Sequence, residues 1–67
     1  MKKDTLLAEI DKRINEHRAC VTKASTCTNP DVSSYLLESL VLVNTSSAII
    51  LEDLKQWING RWGIENS

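Results

Sequence analysis

The residues of this 67-residue chain that could do chemistry fall in three places. His17, Cys20 and Cys27 make the first. His17 and Cys20 are three apart and share one face of a helix. Imidazole and thiolate are both ligands that zinc accepts, and Cys27 would be a third from beyond a turn. Structural zinc wants four, so no metal and no cofactor is expected. A Cys20–Cys27 disulfide is sterically conceivable if the chain turns between them. Two free thiols in a reducing compartment are the simpler expectation, because two cysteines are too few for a secreted disulfide framework.

Glu38 is the second place, alone within an apolar stretch. A carboxyl buried there would have its pKa raised by desolvation, as general acid–base chemistry requires. The blander expectation is a place on the one exposed edge of its helix. Glu52 and Asp53 with Lys55 read as a solvated turn.

Trp57, Arg61 and Trp62 are the third. Trp and Arg are the side chains most enriched at binding hot spots. Five residues on a helix turn through about 140°, so the two indoles do not share a face. Trp57 falls on the core seam, and Trp62, beyond Gly60, is expected to be exposed or folded over the end. These three are the expected partner-binding residues. No catalytic motif or phosphate loop accompanies them, and no enzyme is expected.

Two long elements must position these groups, joined by a short polar connection. Leu7, Ile10, Ile14, His17 and Val21 recur at spacings of three and four, predicting a helix over about 4–23. Asp4 or Thr5 would be its N-cap, and Glu9–Arg13 and Lys12–Glu16 are charged i,i+4 pairs on its outer face. Residues 24–29 are small and polar and read as the loop. Pro30 fits the first position of a second helix, predicted over about 30–59, with Gly60 ending it at C′ and a tail over 60–67.

The second element carries two apolar seams. Leu36, Leu40, Val43, Ser47, Ile50, Leu54 and Trp57 follow a heptad spacing. Leu37, Val41, Ala48, Leu51 and Ile58 lie beside them. Asn44-Thr45-Ser46-Ser47 are poor helix formers in a row. They allow either a continuous or kinked helix or a break capped by Ser46 or Ser47. The heptad phase survives across them and favours continuity. The runs Leu40–Val43 and Ala48–Leu51 point in every direction around a helix, so one covering helix leaves part of them bare.

Length allows one domain, of marginal stability unless something helps. A hydrophobic fraction of 42% argues against disorder, and two glycines with one proline argue against an all-β fold. A net charge of −1 gives no pull toward nucleic acid. The segment 35–51 carries Glu38 and the polar cluster, so a membrane span is not expected. The N-terminus lacks an apolar run of signal-peptide length, and a cytoplasmic setting is the default.

The expected fold is therefore all-α: an antiparallel helical hairpin, its second helix continuous or broken at 44–47, assembling into a helical bundle. The expected core is Leu7, Ile10, Ile14, Val21, Leu36, Leu40, Val43, Ile50, Leu54 and Trp57. The expected function is that of a small non-enzymatic protein that self-associates, a dimer being favoured, and acts by binding another protein as a regulator, adaptor or inhibitor. The alternatives are a small dimeric nucleic-acid-binding regulator and a ligand- or metal-binding bundle.

Overall fold

The computed structural model describes the backbone of residues 2–65 and the side chains of residues 2–61. Two helices, α1 (Lys3–Ser25) and α2 (Ser34–Glu65), pack against each other as a hairpin, and no strand occurs among the described residues. The pair measures 54 × 16 × 13 Å with a radius of gyration of 15.6 Å. A compact domain of this length would have a radius near 11 Å.

α1 extends beyond its predicted limits at both ends, whereas α2 begins four residues later than predicted and ends later, for local reasons. α1 begins at Lys3, with Lys2 in the cap position and no side-chain cap, so Asp4 falls in the first turn rather than capping it. Its far end is held by Thr26, whose hydroxyl donates to the Thr22 carbonyl at 2.9 Å. Pro30 does not start α2. The Asp31 N–H donates to Asn29 Oδ1 at 2.9 Å and the Val32 N–H to the Asn29 carbonyl at 3.2 Å, so Asn29–Val32 closes as a turn with proline at its second position. Ser33 then accepts the Leu36 N–H on its hydroxyl oxygen and caps α2.

α2 runs unbroken through Asn44–Ser47. The Asn44 amide donates to the Leu40 carbonyl and the Ser47 hydroxyl to the Val43 carbonyl, each at 2.8 Å. These side chains bond back one turn instead of competing for another backbone conformation. Gly60 does not end the helix either. No described residue has a positive φ, so the left-handed C′ geometry is absent there.

The core lies along one heptad seam of each helix. Ile10, Ile14, Ala48 and Ile58 are buried, with Leu6, Leu7 and Leu51 packed against them. On α1 this is the seam expected from the spacing. On α2 it is the other seam. Leu36, Leu40, Val43, Ile50, Leu54 and Trp57, expected in the core, are all more than 40% exposed in the hairpin. The inner seam of α2 has the small Ala48 at its centre, which lets the backbones approach, and polar side chains that meet complements on α1. Lys55 Nζ donates to Asp11 Oδ1 at 2.7 Å, and Arg18 pairs with Glu52. Glu52 and Lys55 are thus half-buried and paired across the helices, not a solvated turn.

Two stability changes follow. Ile14→Ala should cost about 2–5 kcal/mol, as truncation of a well-buried isoleucine does, read as loss of the urea-unfolding midpoint. Gly60→Ala should gain about 0.5–1 kcal/mol. A Cβ at Gly60 meets nothing within 4 Å, so only helix propensity changes. A fall in melting temperature for this variant would place Gly60 outside a helix.

Candidate functional site

The most distinctive feature of the hairpin is the side of α2 turned away from α1. Tyr35 is 79% exposed, Leu42 68% and Ile50 66%. Leu36, Val43, Ile49 and Trp57 are at least half exposed beside them. With Leu40 and Leu54 at the margin, these residues make an apolar strip along the helix. It exists because α2 is apolar on two sides and α1 lies against one of them.

Trp57 stands at the far end of this strip. The Arg61 guanidinium lies over its ring, 5.6 Å from the centroid, one helical turn on. The contact keeps a cation over an indole that is half exposed, a pairing worth about 0.5–1 kcal/mol at the surface. The structure thus joins two of the three expected partner-binding residues. The Trp62 side chain lies outside the described residues.

His17 is half-buried in the interhelical seam. Its Nδ1 lies 2.8 Å from Asn44 Oδ1. Because the Asn44 amide nitrogen donates to the Leu40 carbonyl, its oxygen is the acceptor and the imidazole N–H the donor. The pair forms a polar layer between apolar ones. Periodicity placed His17 on the seam but missed its partner, 27 residues away. The signal was a polar residue standing on the apolar seam of each helix, His17 on α1 and Asn44 on α2.

The remaining chemistry is dispersed. Cys20 is exposed and Cys27 half-buried, and both are free thiols. They share the lining of an apolar groove at the loop end with Val32, Leu37 and Leu40. Glu38 is exposed, so the reading of a buried acid is not met. It borders a second groove, of about 420 Å³, with Ala24, Leu37, Val41 and Leu42. That volume lies in the range of ligand sites, but such sites also carry a few convergent polar groups. Among the described residues no group of three or more His, Cys, Asp or Glu side chains is placed to hold a metal ion.

Ser34–Arg61 is long and apolar enough to cross a membrane, with a mean hydropathy of 1.4 over its most apolar window. Only 11% of that window is buried, so α1 does not account for its apolar character.

The polar layer makes a measurable prediction. Asn44→Leu alone should cost about 1–3 kcal/mol by leaving the half-buried His17 N–H without an acceptor. His17→Leu/Asn44→Leu should recover most of that loss, because an apolar pair of similar size leaves nothing unsatisfied. Thermal unfolding of the four proteins of this double-mutant cycle measures the coupling; additive losses would mean that the bond carries none.

Comparison of the chain with protein-family models, with curated proteins and with solved structures returned no match, so its functional reading rests on this geometry.

Proposed function

We propose that this chain is a non-enzymatic helical protein that self-associates through the outer strip of α2 and, assembled, acts by binding another protein. The observation that carries the reading is that strip: a run of large apolar side chains, exposed along a helix whose opposite side is already packed. Soluble monomers rarely expose contiguous apolar surface of this kind unless it is used.

The quantities agree with a missing copy. A folded monomer of 7.5 kDa has an accessible surface of about 4200 Å² by size scaling. The hairpin exposes 5210 Å². The excess of about 1000 Å² is comparable with the roughly 800 Å² that each partner buries in a standard interface. A second hairpin laid on the strip makes a four-helix bundle, a common solution for helices with two apolar sides. Two unpaired thiols, one of them exposed, suit a reducing, cytoplasmic setting.

Lipid is the competing cover, and the hairpin argues against it. α1 lies along the inner seam of α2 from its loop end to Ile58, and Asp11 and Arg18 are bound to Lys55 and Glu52 of α2. A spanning α2 would carry α1 into the hydrocarbon with it, including Lys12, Arg13 and Glu16. Each such charge at the bilayer centre costs about 2.5–3.5 kcal/mol.

The contact for another protein is best sought where Trp57 carries Arg61 over its ring, since aromatic and guanidinium groups side by side give large contact area with a directional polar head.

Light scattering at tens of micromolar should give twice the 7.5 kDa chain mass. Ile50→Lys should return the protein to a monomer with its helical circular dichroism retained, because Ile50 is 66% exposed in the hairpin and contributes little to it. A wild-type monomer at that concentration would end the proposal.

A further inference from the structure

Resting on the self-association proposed above, we infer that the second copy docks across both helices on the side of the hairpin that carries Cys20, so that this exposed thiol lies inside the interface and a charged adduct on it blocks assembly.

The outer side of α2 consists of two apolar rows. Helical geometry sets Leu36, Val43, Ile50 and Trp57 along one edge and Tyr35, Leu42 and Ile49 along the other. A file of small or polar residues, Ser39, Ser46, Asp53 and Gly60, runs between them. Leu40 and Leu54 widen the first row toward α1. The hairpin's excess surface of about 1000 Å² is close to one partner's share of a standard interface, about 800 Å². A single copy therefore covers one row and leaves the other.

What lies beside each row on α1 decides which is covered. Beside Leu36–Trp57, α1 presents Leu6, Arg13, Cys20 and Cys27, seven residues apart in succession. Cys20 and Cys27 line an apolar groove with Leu37 and Leu40, so at the loop end apolar surface passes from one helix on to the other. The charges on this side are Arg13 and Lys23, whose alkyl stems are long enough to carry them to the edge of a docked copy. Beside Tyr35–Ile49 the surroundings are different. The grooves there are bordered by Arg18, Thr22 and Ser25 of α1 and by Glu38 and Glu52 of α2. A copy laid on that side would take the Arg18–Glu52 pair and the short Glu38 carboxylate out of water, at a cost in desolvation. The larger row and the less charged flank lie on the same side, and the second copy takes that side. The placement is the same for parallel and antiparallel pairs.

The consequence falls on the thiol. Cys20 is exposed in a single hairpin. Covered by a second copy, it no longer meets solvent. Assembly and modification of Cys20 are then linked and oppose each other: pairing protects the thiol, and a charge attached to it would be buried without a partner.

Iodoacetate tests both halves of this linkage. The Cys20 thiolate displaces iodide from carbon; the sulfur–carbon bond forms as the carbon–iodine bond breaks, and the thiol proton passes to the buffer. Two proteins each keep one thiol: Cys27→Ser retains Cys20, and Cys20→Ser/Cys27→Ser/Ser25→Cys carries its thiol on the opposite flank. Each is compared with its Ile50→Lys form. At concentrations where light scattering gives a dimer, Cys20 should react about tenfold or more slowly than in the Ile50→Lys monomer, the factor being the inverse of the dissociated fraction. The carboxymethylated protein should be a monomer with its helical circular dichroism retained. The Ser25→Cys thiol should react equally fast in both forms, and its product should stay dimeric. Peptide mapping of the wild type, which separates Cys20 from Cys27 at Lys23, repeats the rate measurement without any substitution. Equal Cys20 rates in dimer and monomer, or a dimer that survives carboxymethylation of Cys20, overturn the placement and leave self-association standing. Protection of the Ser25→Cys thiol in place of Cys20 overturns it in favour of the opposite side. A wild type that scatters as a monomer removes self-association and this inference together.

Discussion

One helix can lie against only one side of another, and this constraint governs the whole chain. α1 has a single apolar seam between charged faces. α2 has two. Whichever seam of α2 takes α1, the other is left facing outward. The elongated shape, the large surface and the shallow grooves are consequences of that arithmetic. The seam chosen is the less apolar of the two. It includes Asn44 and Lys55, and it is preferred because α1 supplies His17 and Asp11 to meet them. Apolar burial holds the helices together, while these polar pairs set which sides meet and in what register. A slip of α1 by one heptad would set the His17 imidazole against Leu37 or Leu51, at a cost above the modest worth of the bond itself.

The sequence made part of this readable. The seam of α1 was legible at Leu7, Ile10 and Ile14, because Glu9, Lys12, Arg13 and Glu16 leave only one side on which it can be buried; Val21, expected with them, is only half-buried, and the buried Ala24 was not expected. The helical hairpin was legible from two stretches of helical apolar periodicity joined by the small polar residues 24–29. The choice of seam on α2 was not. Periodicity ranks seams by how apolar they are, and by that measure Leu36–Trp57 wins over a row interrupted by Asn44 and Lys55. What reverses the ranking is pairwise matching across 27 and 44 residues, which no single-helix pattern contains. The start of α2 was misplaced for a related reason. Proline serves equally at a helix start and in a turn, and the Asn29 carboxamide, by accepting the Asp31 N–H, settles it as a turn.

The strip now exposed is the one that looked most like a core, and that coincidence is informative. Its heptad phase continues through Ser47 and runs parallel to the seam already in use. Apolar side chains at such regular spacing are difficult to account for as surface decoration, and the cost of wetting them is the driving force available for assembly. Trp57 and Arg61 stand where that strip reaches the end of the helix pair, so any partner that covers the strip also reaches them. Self-recognition and recognition of another protein would in this molecule draw on adjoining parts of one surface.

The placement of the buried cluster also bears on the order of events in folding. Ile10, Ile14, Ala48 and Ile58 lie in the half of the hairpin away from the connection. The loop end, which chain entropy would close first, holds its residues only loosely, with Ala24 the one buried side chain there and an open groove on either side of it. Closing a short loop is the least costly first step, yet little is gained until the chain has zipped on to Ile58. Early pairing near the connection is therefore readily reversed, and the hairpin should form as a single cooperative unit rather than by stepwise addition of turns.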